Sequence, residues 1–207
     1  MDSILAKLDA VLNSRVRVRR GRKEVKLNIH IPIRGRALQY CLDLNRRICD
    51  NIKNEIDFSP QSFHVPHVTL DMGYVCSTVK YEQIVGAVNE LAKDTQSFEL
   101  RLLRPFIKEP DRNYIFVEVL ENEALKRLRF IVNSKIHELL EPLPWDVFQE
   151  APHVTVGFVR KNVNTIEDMI SAFPSGPIMT AESIDISVCG IHGTCIGTMK
   201  SFEFLDS

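Results

Sequence analysis

A pentapeptide that occurs twice constrains this chain more than any other feature of its sequence. Residues 66–70 read Pro-His-Val-Thr-Leu, and residues 152–156 read Pro-His-Val-Thr-Val. In each copy the polar histidine and threonine alternate with apolar residues, as in a half-buried β-strand, so both polar side chains lie on one face. We therefore predict two motif strands, at residues 63–75 and 153–159. If the two parts of the chain are related by pseudo-symmetry, two imidazoles and two hydroxyls meet in one cleft.

The four polar residues of the two copies suit the chemistry of phosphate esters; they are His67, Thr69, His153 and Thr155. The reference pKa of histidine, about 6.5, makes both of its protonation states available near neutral pH. One imidazole can take a proton from an attacking hydroxyl or water, and the other can give one to the leaving oxygen. The threonine hydroxyls can hydrogen-bond the non-bridging oxygens of a phosphate. The pattern therefore favours in-line displacement at phosphorus without a metal ion.

Metal binding and nucleophilic hydrolysis fit the sequence less well. His64 and His67 are three residues apart on an extended segment, so they point to opposite faces, and only Asp71 adds a carboxylate on the His67 face. We find no third and fourth ligand of the kinds that a zinc site requires. The sequence also lacks a Gly-x-Ser-x-Gly nucleophile motif and a cysteine placed by any motif. We therefore expect no metal and no other cofactor.

The composition limits the class of protein. With 207 residues, 44% of them hydrophobic and 26% charged, the chain has the length and balance of one globular domain. Its five cysteines are an odd number and form no Cys-x-x-Cys pair, which indicates reduced thiols in an intracellular protein. Residues 1–14 lack the apolar core of a signal peptide, and no stretch approaches the roughly 18 apolar residues of a membrane span. We therefore expect a cytoplasmic or nuclear monomer that makes no contact with membranes.

A basic segment lies near the N-terminus. Between Arg15 and Lys26 the sequence has seven basic residues and one acidic residue, a local charge of +6, whereas the net charge of the chain is −1. The alternation that begins at Arg15 suits an edge strand or an extended linker, and residues 2–13 have the spacing of a short amphipathic helix. The basic residues either contact RNA or protect a solvated strand edge, and we favour the second interpretation. We divide the chain into an N-terminal extension, residues 1–24, and a main domain, residues 25–207.

The order of the predicted elements indicates an α+β fold. The clearest strand, residues 25–33, has apolar odd positions for the core and places Asn28 and His30 on a polar face towards the cleft. Apolar residues recur at the spacing of an amphipathic helix in four segments, which we predict to be helices: residues 38–56, 81–91, 125–139 and 166–173. Further strands are predicted at residues 98–106 and 114–120, which form a hairpin, and at 182–190 and 195–204. We therefore predict two pseudo-symmetric lobes of antiparallel sheet, with helices on the outer face and a central cleft.

The paired His-Val-Thr motifs, with this spacing and order of elements, resemble those of the two-histidine (2H) phosphoesterase superfamily over about residues 25–205. This superfamily includes bacterial RNA 2′,5′-ligase-like proteins, cyclic nucleotide phosphodiesterases of plants and fungi, and viral and mammalian 2′,5′-oligoadenylate phosphodiesterases. The resemblance implies metal-independent action on 2′,5′ linkages, or on 2′,3′- or 1″,2″-cyclic phosphates, of nucleotides or RNA ends. It makes His67 and His153 the acid and base, and it makes Thr69 and Thr155 the residues that bind the phosphate.

Two other activities are compatible with the same residues. A fold of this type can hold RNA or a nucleotide without turning it over, although the two intact His-x-Thr pairs favour an enzyme. An RNA 2′,5′-ligase would run the reaction in reverse with the same acid and base. Residues 71–73 differ from the longer apolar run of many members, and residues 157–158 stand where many bacterial members have an arginine, Arg160 being the nearest here. The sequence therefore leaves the substrate and the direction of the reaction open.

Aromatic residues near the motifs are candidates for substrate binding. Tyr114 lies on the face of its strand opposite to the core, where its ring could stack on a base. Phe63 precedes the first motif, and Trp145 and Phe148 lie in the loop before the second, where they could close over a nucleobase. His30 is a further candidate on the polar face of its strand. Since a cleft must admit substrate, we expect both catalytic imidazoles to be partly exposed.

Overall fold

The computed structural model describes residues 17–19, 22–59, 62, 64–109, 113–141, 143–144, 147–160 and 163–206. Within these ranges ten strands form one antiparallel sheet, and four α-helices pack against it. The strands are β1 (Arg17–Arg19), β2 (Arg22–Pro32), β3 (His64–Val65), β4 (His67–Val75), β5 (Phe98–Ile107), β6 (Tyr114–Val119), β7 (His153–Phe158), β8 (Ile178–Ala181), β9 (Ser183–Cys189) and β10 (Cys195–Glu203). The helices are α1 (Gly35–Asn51), α2 (Thr78–Lys93), α3 (Glu123–Ile136) and α4 (Val163–Ser171). The predicted α+β fold with antiparallel strands is therefore confirmed.

The two motif strands are neighbours at the centre of the sheet. The order of strands is β3-β10-β9-β2-β4-β7-β6-β5-β8, and β1 pairs with the beginning of β2. β4 and β7 pair through Val68 and Val154, which are equivalent residues of the two motifs. The predicted hairpin of β5 and β6 is present, whereas the sequence did not predict the short strand β8. The repeat in the sequence thus corresponds to a pseudo-symmetric centre in the fold.

Each side of this centre combines segments from distant parts of the chain. β9 and β10, near the C-terminus, extend the sheet from β2 on the side of the first motif. α1 follows β2 in the sequence but packs on β7 and β8, whereas α2 packs on β9 and β10. The two lobes therefore do not coincide with the two halves of the sequence. Over the described residues, none of the helices is long and apolar enough to cross a membrane.

Both faces of β2 are buried. Its core face carries three branched apolar residues that are at most 1% exposed: Leu27, Ile29 and Ile31. On the other face Asn28 and His30 are also fully buried. The sequence predicts a polar surface there, but the side chain of His30 is hydrogen-bonded to Ser187, and that of Asn28 to the carbonyl of Gly193. β9 and the loop that follows it therefore cover this part of the predicted cleft.

A β-bulge in β4 changes the position of Asp71. The bulge lies at Leu70, where β4 has one residue more than β2. Asp71 consequently pairs with Ile29 of the core face, and its carboxylate lies 3.2 Å from Nδ1 of His137, just beyond α3. The prediction that Asp71 shares a face with His67 is wrong, because the alternation of β4 is interrupted between them.

The segment after α1 folds back over that helix. The sequence predicts a helix as far as residue 56, but α1 ends at Asn51. The buried amide of Asn45 donates to the carbonyls of Ile56 and Val156, both at 2.8 Å. Its oxygen accepts from the backbone N–H of Phe58 at 3.0 Å. Asn45 therefore supports the folded-back segment and ties α1 to β7.

The main sheet begins earlier than the sequence indicates. β2 starts at Arg22, three residues before the predicted strand, and β1 pairs with this additional part. The proposed boundary after residue 24 therefore lies within a strand. The helix predicted at residues 2–13 lies outside the described residues, and the division of the chain into an extension and a main domain stays a prediction.

Candidate active site

The four motif side chains lie on the face of the sheet opposite to the core. Val68 and Val154, which pair with each other, are fully buried on the core face. Because successive residues of a strand point to opposite faces, their neighbours lie on the other one. These neighbours are His67, Thr69, His153 and Thr155. The antiparallel pairing places each histidine across from the threonine of the other motif.

Two equivalent hydrogen bonds orient the histidine rings. Nδ1 of His67 donates to the carbonyl oxygen of Val65 at 2.7 Å, and Nδ1 of His153 donates to that of Ala151 at 2.8 Å. In both cases the acceptor is the residue two positions earlier in the chain. A carbonyl oxygen can only accept, so the proton of each neutral ring is on Nδ1. Nε2 is therefore the nitrogen of each ring that can accept or return a proton during a reaction.

His67 is buried, with 7% of its surface exposed. Its Nε2 accepts a hydrogen bond from Nδ2 of Asn28 at 3.1 Å. The same amide nitrogen lies 3.2 Å from Oγ1 of Thr69 and 3.3 Å from the carbonyl oxygen of Gly193. Burial, together with the nearby His153, lowers the pKa of His67 from 6.5 to about 4. The expectation of a partly exposed imidazole is therefore wrong for His67, because Asn28 and the β9–β10 loop cover the ring.

His153 is half-buried and stacks on an aromatic ring. The centroid of its imidazole lies 3.8 Å from that of Phe116, at an interplanar angle of 19°. The ammonium group of Lys108 lies 5.5 Å from the same Phe116 centroid and is paired with the carboxylate of Glu150. Burial lowers the pKa of His153 from 6.5, so the neutral ring predominates near neutral pH. His153 thus lies against an aromatic ring with an ion pair nearby, whereas the groups around His67 are the amide of Asn28 and the carbonyl of Gly193.

Arg129 of α3 anchors the loop that precedes His153 in the chain. This arginine is 4% exposed, and its Nη2 donates to the carbonyls of Phe148 at 3.0 Å and Glu150 at 2.6 Å. Its guanidinium group also lies 5.4 Å from the Phe148 ring centroid and pairs with Glu121. Phe148 therefore belongs to the contact that anchors the loop. Sequence reasoning missed Arg129, although a charged residue that interrupts the apolar stripe of a helix is a visible signal.

Tyr114 belongs to an aromatic cluster that continues from Phe116. Its ring lies 4.7 Å from Phe158 and 5.9 Å from His192, and its hydroxyl is 3.5 Å from Nδ1 of His192. The rings of Phe158 and His192 are stacked 3.7 Å apart. His192, which the sequence places only in a turn, has a left-handed backbone with φ of 55°. Nε2 of His192 lies 2.9 Å from the carboxylate of Glu55, which secures the ring against the cluster.

Arg160 lies at the surface next to the same cluster. It pairs with the carboxylate of Glu55 and lies 5.3 Å from the Phe158 ring centroid. The hydrogen bonds from Arg160 and then from His192 lower the pKa of Glu55 from 4.5 to about 2. The arginine is therefore engaged in supporting the cluster, at a distance from the four motif side chains along β7.

His30 lies behind His67. It is fully buried, its ring centroid is 4.8 Å from that of His67, and its Nε2 is hydrogen-bonded to Oγ of Ser187 at 2.8 Å. Burial, reinforced by His67, keeps the pKa of His30 well below its usual value. His30 therefore contacts the candidate site through His67. Phe63 and Trp145, the other two candidates for substrate binding, lie outside the described residues.

Metal ligands are the remaining question at this site. Among the residues that the structure describes, no group of three or more His, Cys, Asp and Glu side chains is placed to hold a metal ion. The five cysteines are free thiols. The expectation that the protein needs no cofactor stays a prediction for experiment.

The fold is similar to that of several solved proteins. TT0787 of Thermus thermophilus superposes with a TM-score of 0.65 and 16% identity, over 86% of this chain and 97% of that one. E. coli LigT in complex with 3'-AMP superposes with a TM-score of 0.59 and 12% identity, over 87% of this chain and 98% of that one. At these identities the similarity shows a common fold.

The sequence provides the assignment to a family. No curated protein sequence matches the chain. A model of the 2'-5' RNA ligase superfamily, however, matches residues 43–187, which is more than half of the chain and includes both His-x-Thr motifs. This match shows that the chain belongs to the 2'-5' RNA ligase superfamily, the group of 2H phosphoesterases that its paired motifs resemble.

Proposed function

We propose that this protein is a metal-independent phosphodiesterase that acts on 2′,5′-linked or 2′,3′-cyclic phosphates of nucleotides or RNA ends. The observation that carries the proposal is the equivalent orientation of His67 and His153. Each ring donates through Nδ1 to a backbone carbonyl, which leaves Nε2 for proton transfer on the face that also carries the two threonines. In-line displacement at phosphorus requires such a base and acid within reach of one phosphate.

His67 is the proposed base. Its pKa of about 4 keeps the ring neutral, and its Nε2 already acts as a hydrogen-bond acceptor, from the amide of Asn28. During hydrolysis of a cyclic phosphate, Nε2 would take a proton from a water molecule while the water oxygen forms a bond to phosphorus. The hydrogen bond from Asn28 to Nε2 of His67 can break with a small loss of free energy, because the amide nitrogen of Asn28 also lies within hydrogen-bonding distance of Thr69 and Gly193.

His153 is the proposed acid. Its pKa is below the usual value in the free protein, but the negative charge of a bound phosphate would raise it and favour the protonated ring. Protonated Nε2 would give its proton to the ester oxygen as the bond between that oxygen and phosphorus breaks. The hydroxyls of Thr69 and Thr155 would donate to the non-bridging oxygens, where negative charge accumulates. The proton gained by His67 then returns to His153 through solvent, which completes the cycle.

The proposed substrate class has independent support. E. coli LigT has been solved with phosphate and with 3'-AMP, so proteins of this fold bind nucleotide phosphates. The aromatic cluster around Tyr114 continues from Phe116, which stacks on His153, and aromatic faces bind bases of any sequence. Tyr114 is therefore the proposed contact for the base, and Phe63, Trp145 and Phe148 remain further candidates. His30, which is fully buried behind His67, is no longer one.

A panel of substrates in the presence of EDTA tests the proposal. The panel contains 2′,3′-cyclic nucleotides, 2′,5′-linked oligoadenylate, cyclic oligonucleotides and ADP-ribose cyclic phosphate. His67→Ala and His153→Ala should each lower turnover by at least about 10²-fold. The double variant should lose far less than the product of the two losses, because an acid and a base act as a unit. His64→Ala, which removes an imidazole bonded to the Asp57 carbonyl near the first motif, is the matched control and should keep full turnover.

The same panel separates the alternatives. Tight binding of these ligands without turnover of any of them would contradict the phosphodiesterase and identify a binding module. Joining of RNA ends through a 2′,5′ bond, dependent on the same two histidines, would identify a ligase.

A further inference from the structure

An exposed aromatic ring lies on the face of the candidate active site, two strands away from the second motif. Phe106 of β5 pairs with Phe116 of β6, which in turn pairs with Thr155 of β7, so the three side chains share one face of the sheet. The ring centroids of Phe106 and Phe116 lie 5.8 Å apart, at an interplanar angle of 80°. Phe116 also stacks on His153. Two ring contacts therefore connect Phe106 with the imidazole that we propose as the acid.

Phe106 is open to solvent, whereas Phe116 is covered. Phe106 is 39% exposed and Phe116 is 6% exposed. An edge-to-face contact between two rings covers a ring face on one partner at most. β8 pairs with β5 only over residues 98–101, so over the described residues the sheet ends beside Phe106. A single exposed apolar side chain is ordinary on a protein surface, but this one continues a series of rings that begins at a catalytic imidazole.

Side chains of both charges flank Phe106 on this face. Arg104 is exposed and lies two positions before Phe106, with the buried Pro105 between them. Glu118 is also exposed, and it shares the face because it pairs with His153. A cation and a carboxylate together do not favour a run of phosphates. They suit the edge of a nucleobase, which offers both hydrogen-bond acceptors and donors.

The position of the proposed acid determines which part of a substrate reaches Phe106. The water oxygen forms a bond to phosphorus, and the ester bond breaks as His153 gives its proton to the leaving oxygen. If the substrate links two nucleosides, this oxygen carries a whole nucleoside, which lies on the His153 side of the phosphate. In a cyclic phosphate the leaving oxygen belongs to the ribose that keeps the phosphate, so that no second nucleoside is present.

We propose that Phe106 is the stacking site for the base of the leaving nucleoside, with Arg104 and Glu118 at the edge of that base. The inference rests on the proposed function and makes its substrate more specific. The site serves linkages between two nucleosides, and a cyclic mononucleotide does not use it. Tyr114 remains the contact for the other base.

Turnover of two substrates tests the site. The substrates are 2′,5′-linked adenylyl-adenosine, the dinucleotide, and adenosine 2′,3′-cyclic phosphate, which has no leaving nucleoside. Phe106→Leu keeps an apolar side chain next to Phe116 but has no ring face. It should lower kcat/KM for the dinucleotide, relative to that for the cyclic phosphate, by at least about fivefold, mainly through KM. Phe106→Tyr retains a ring and should keep the wild-type ratio. Phe130→Ala removes a phenylalanine that is 62% exposed on α3, and this matched control should also keep the ratio.

Binding without turnover provides the second measurement. In a His67→Ala background the dinucleotide should survive long enough for isothermal titration calorimetry to give its Kd. Adding Phe106→Leu should raise the Kd of the dinucleotide by at least about fivefold and that of the cyclic phosphate by less than about twofold. Circular dichroism verifies folding, and Phe106→Met replaces Phe106→Leu if that variant does not fold.

Several results would overturn the inference. Equal losses of kcat/KM for the two substrates would show that Phe106 only supports Phe116 and His153. A wild-type ratio in Phe106→Leu, or a dinucleotide that binds no more weakly to that variant, would show that no base stacks on the ring. If neither substrate is turned over by the wild type but Phe106→Leu still weakens binding of the dinucleotide alone, the site is retained and only the phosphodiesterase is refuted. The two failures are therefore distinguishable.

Discussion

The buried imidazole of His67 should make the stability of the fold depend on pH. Burial holds its pKa at about 4 in the folded protein, against 6.5 for an exposed histidine, the value expected in the unfolded chain. Between these two values the unfolded chain binds a proton and the folded protein does not. The neutral ring therefore makes its full contribution to the free energy of unfolding above about pH 6.5. This contribution is lost as the pH falls towards about 4.

The size of this effect follows from the difference between the two pKa values. The difference between 6.5 and about 4, at about 1.4 kcal/mol per pH unit, corresponds to a contribution of about 3.5 kcal/mol to the free energy of unfolding, of which about 3 kcal/mol is lost by about pH 4. Solvent screens little of it, since His67 is 7% exposed. Single domains are typically stable by about 5–15 kcal/mol, so one imidazole accounts for a measurable part of the acid sensitivity.

The informative change is His67→Gln, which removes the titrating group and keeps a polar side chain. Urea unfolding at about pH 7 and about pH 4 gives the free energy of unfolding of each protein at each pH. The wild type should lose about 3 kcal/mol more than the variant between the two pH values. The variant also loses the hydrogen bonds to Val65 and Asn28, but this loss is largely common to both pH values and cancels in the comparison. The same pH dependence in both proteins would refute the reasoning from burial.

Further predictions concern the residues that support the site. Asn28→Leu should lower kcat by on the order of tenfold, because Thr69 loses the hydrogen bond, worth about 1.4 kcal/mol, through which the Asn28 amide orients its hydroxyl for the phosphate; steady-state kinetics measures this, and an unchanged kcat would contradict it. Arg129→Met should lower the free energy of unfolding by about 3 kcal/mol in urea titrations, since buried carbonyls and Glu121 lose their cation. Asn45→Ala should cost about as much, through three lost hydrogen bonds of about 1 kcal/mol each. Turnover should be unchanged by EDTA, and a loss restored by Mg²⁺ or Mn²⁺ would contradict the metal-free mechanism.

The features that the sequence predicts well are local. Alternation of polar and apolar residues in β4 and β7 depends on neighbours one or two positions away, and it correctly places Val68 and Val154 in the core. The spacing of apolar residues likewise locates α2 and α3 to within a few residues. The α+β class follows from the order of such elements, and it is confirmed.

The features that the sequence does not predict depend on distant segments. The sequence of β2 does not indicate that Ser187 and Gly193 cover its polar face. It therefore does not predict the burial of Asn28 and His30. The bulge at Leu70 depends on how β4 adjusts to β2, and no alternation rule locates it. The packing of α1 on the side of the second motif is also a property of the whole chain.

A repeated motif provides two equivalent histidines, but a displacement at phosphorus needs one acid and one base. The tethers of Nδ1 to the carbonyls of Val65 and Ala151 are the same in both copies, so the motifs themselves do not distinguish the two roles. The distinction comes from residues outside the repeats. Asn28 donates to Nε2 of His67 and favours its neutral form, whereas His153 stacks on Phe116 beside the Lys108–Glu150 pair and is more open to a negatively charged ligand. The proposed assignment of His67 as base and His153 as acid therefore depends on residues of β2, β6 and the end of β5. Substitutions of those residues should weaken or reverse this assignment, although both His-x-Thr pairs stay intact.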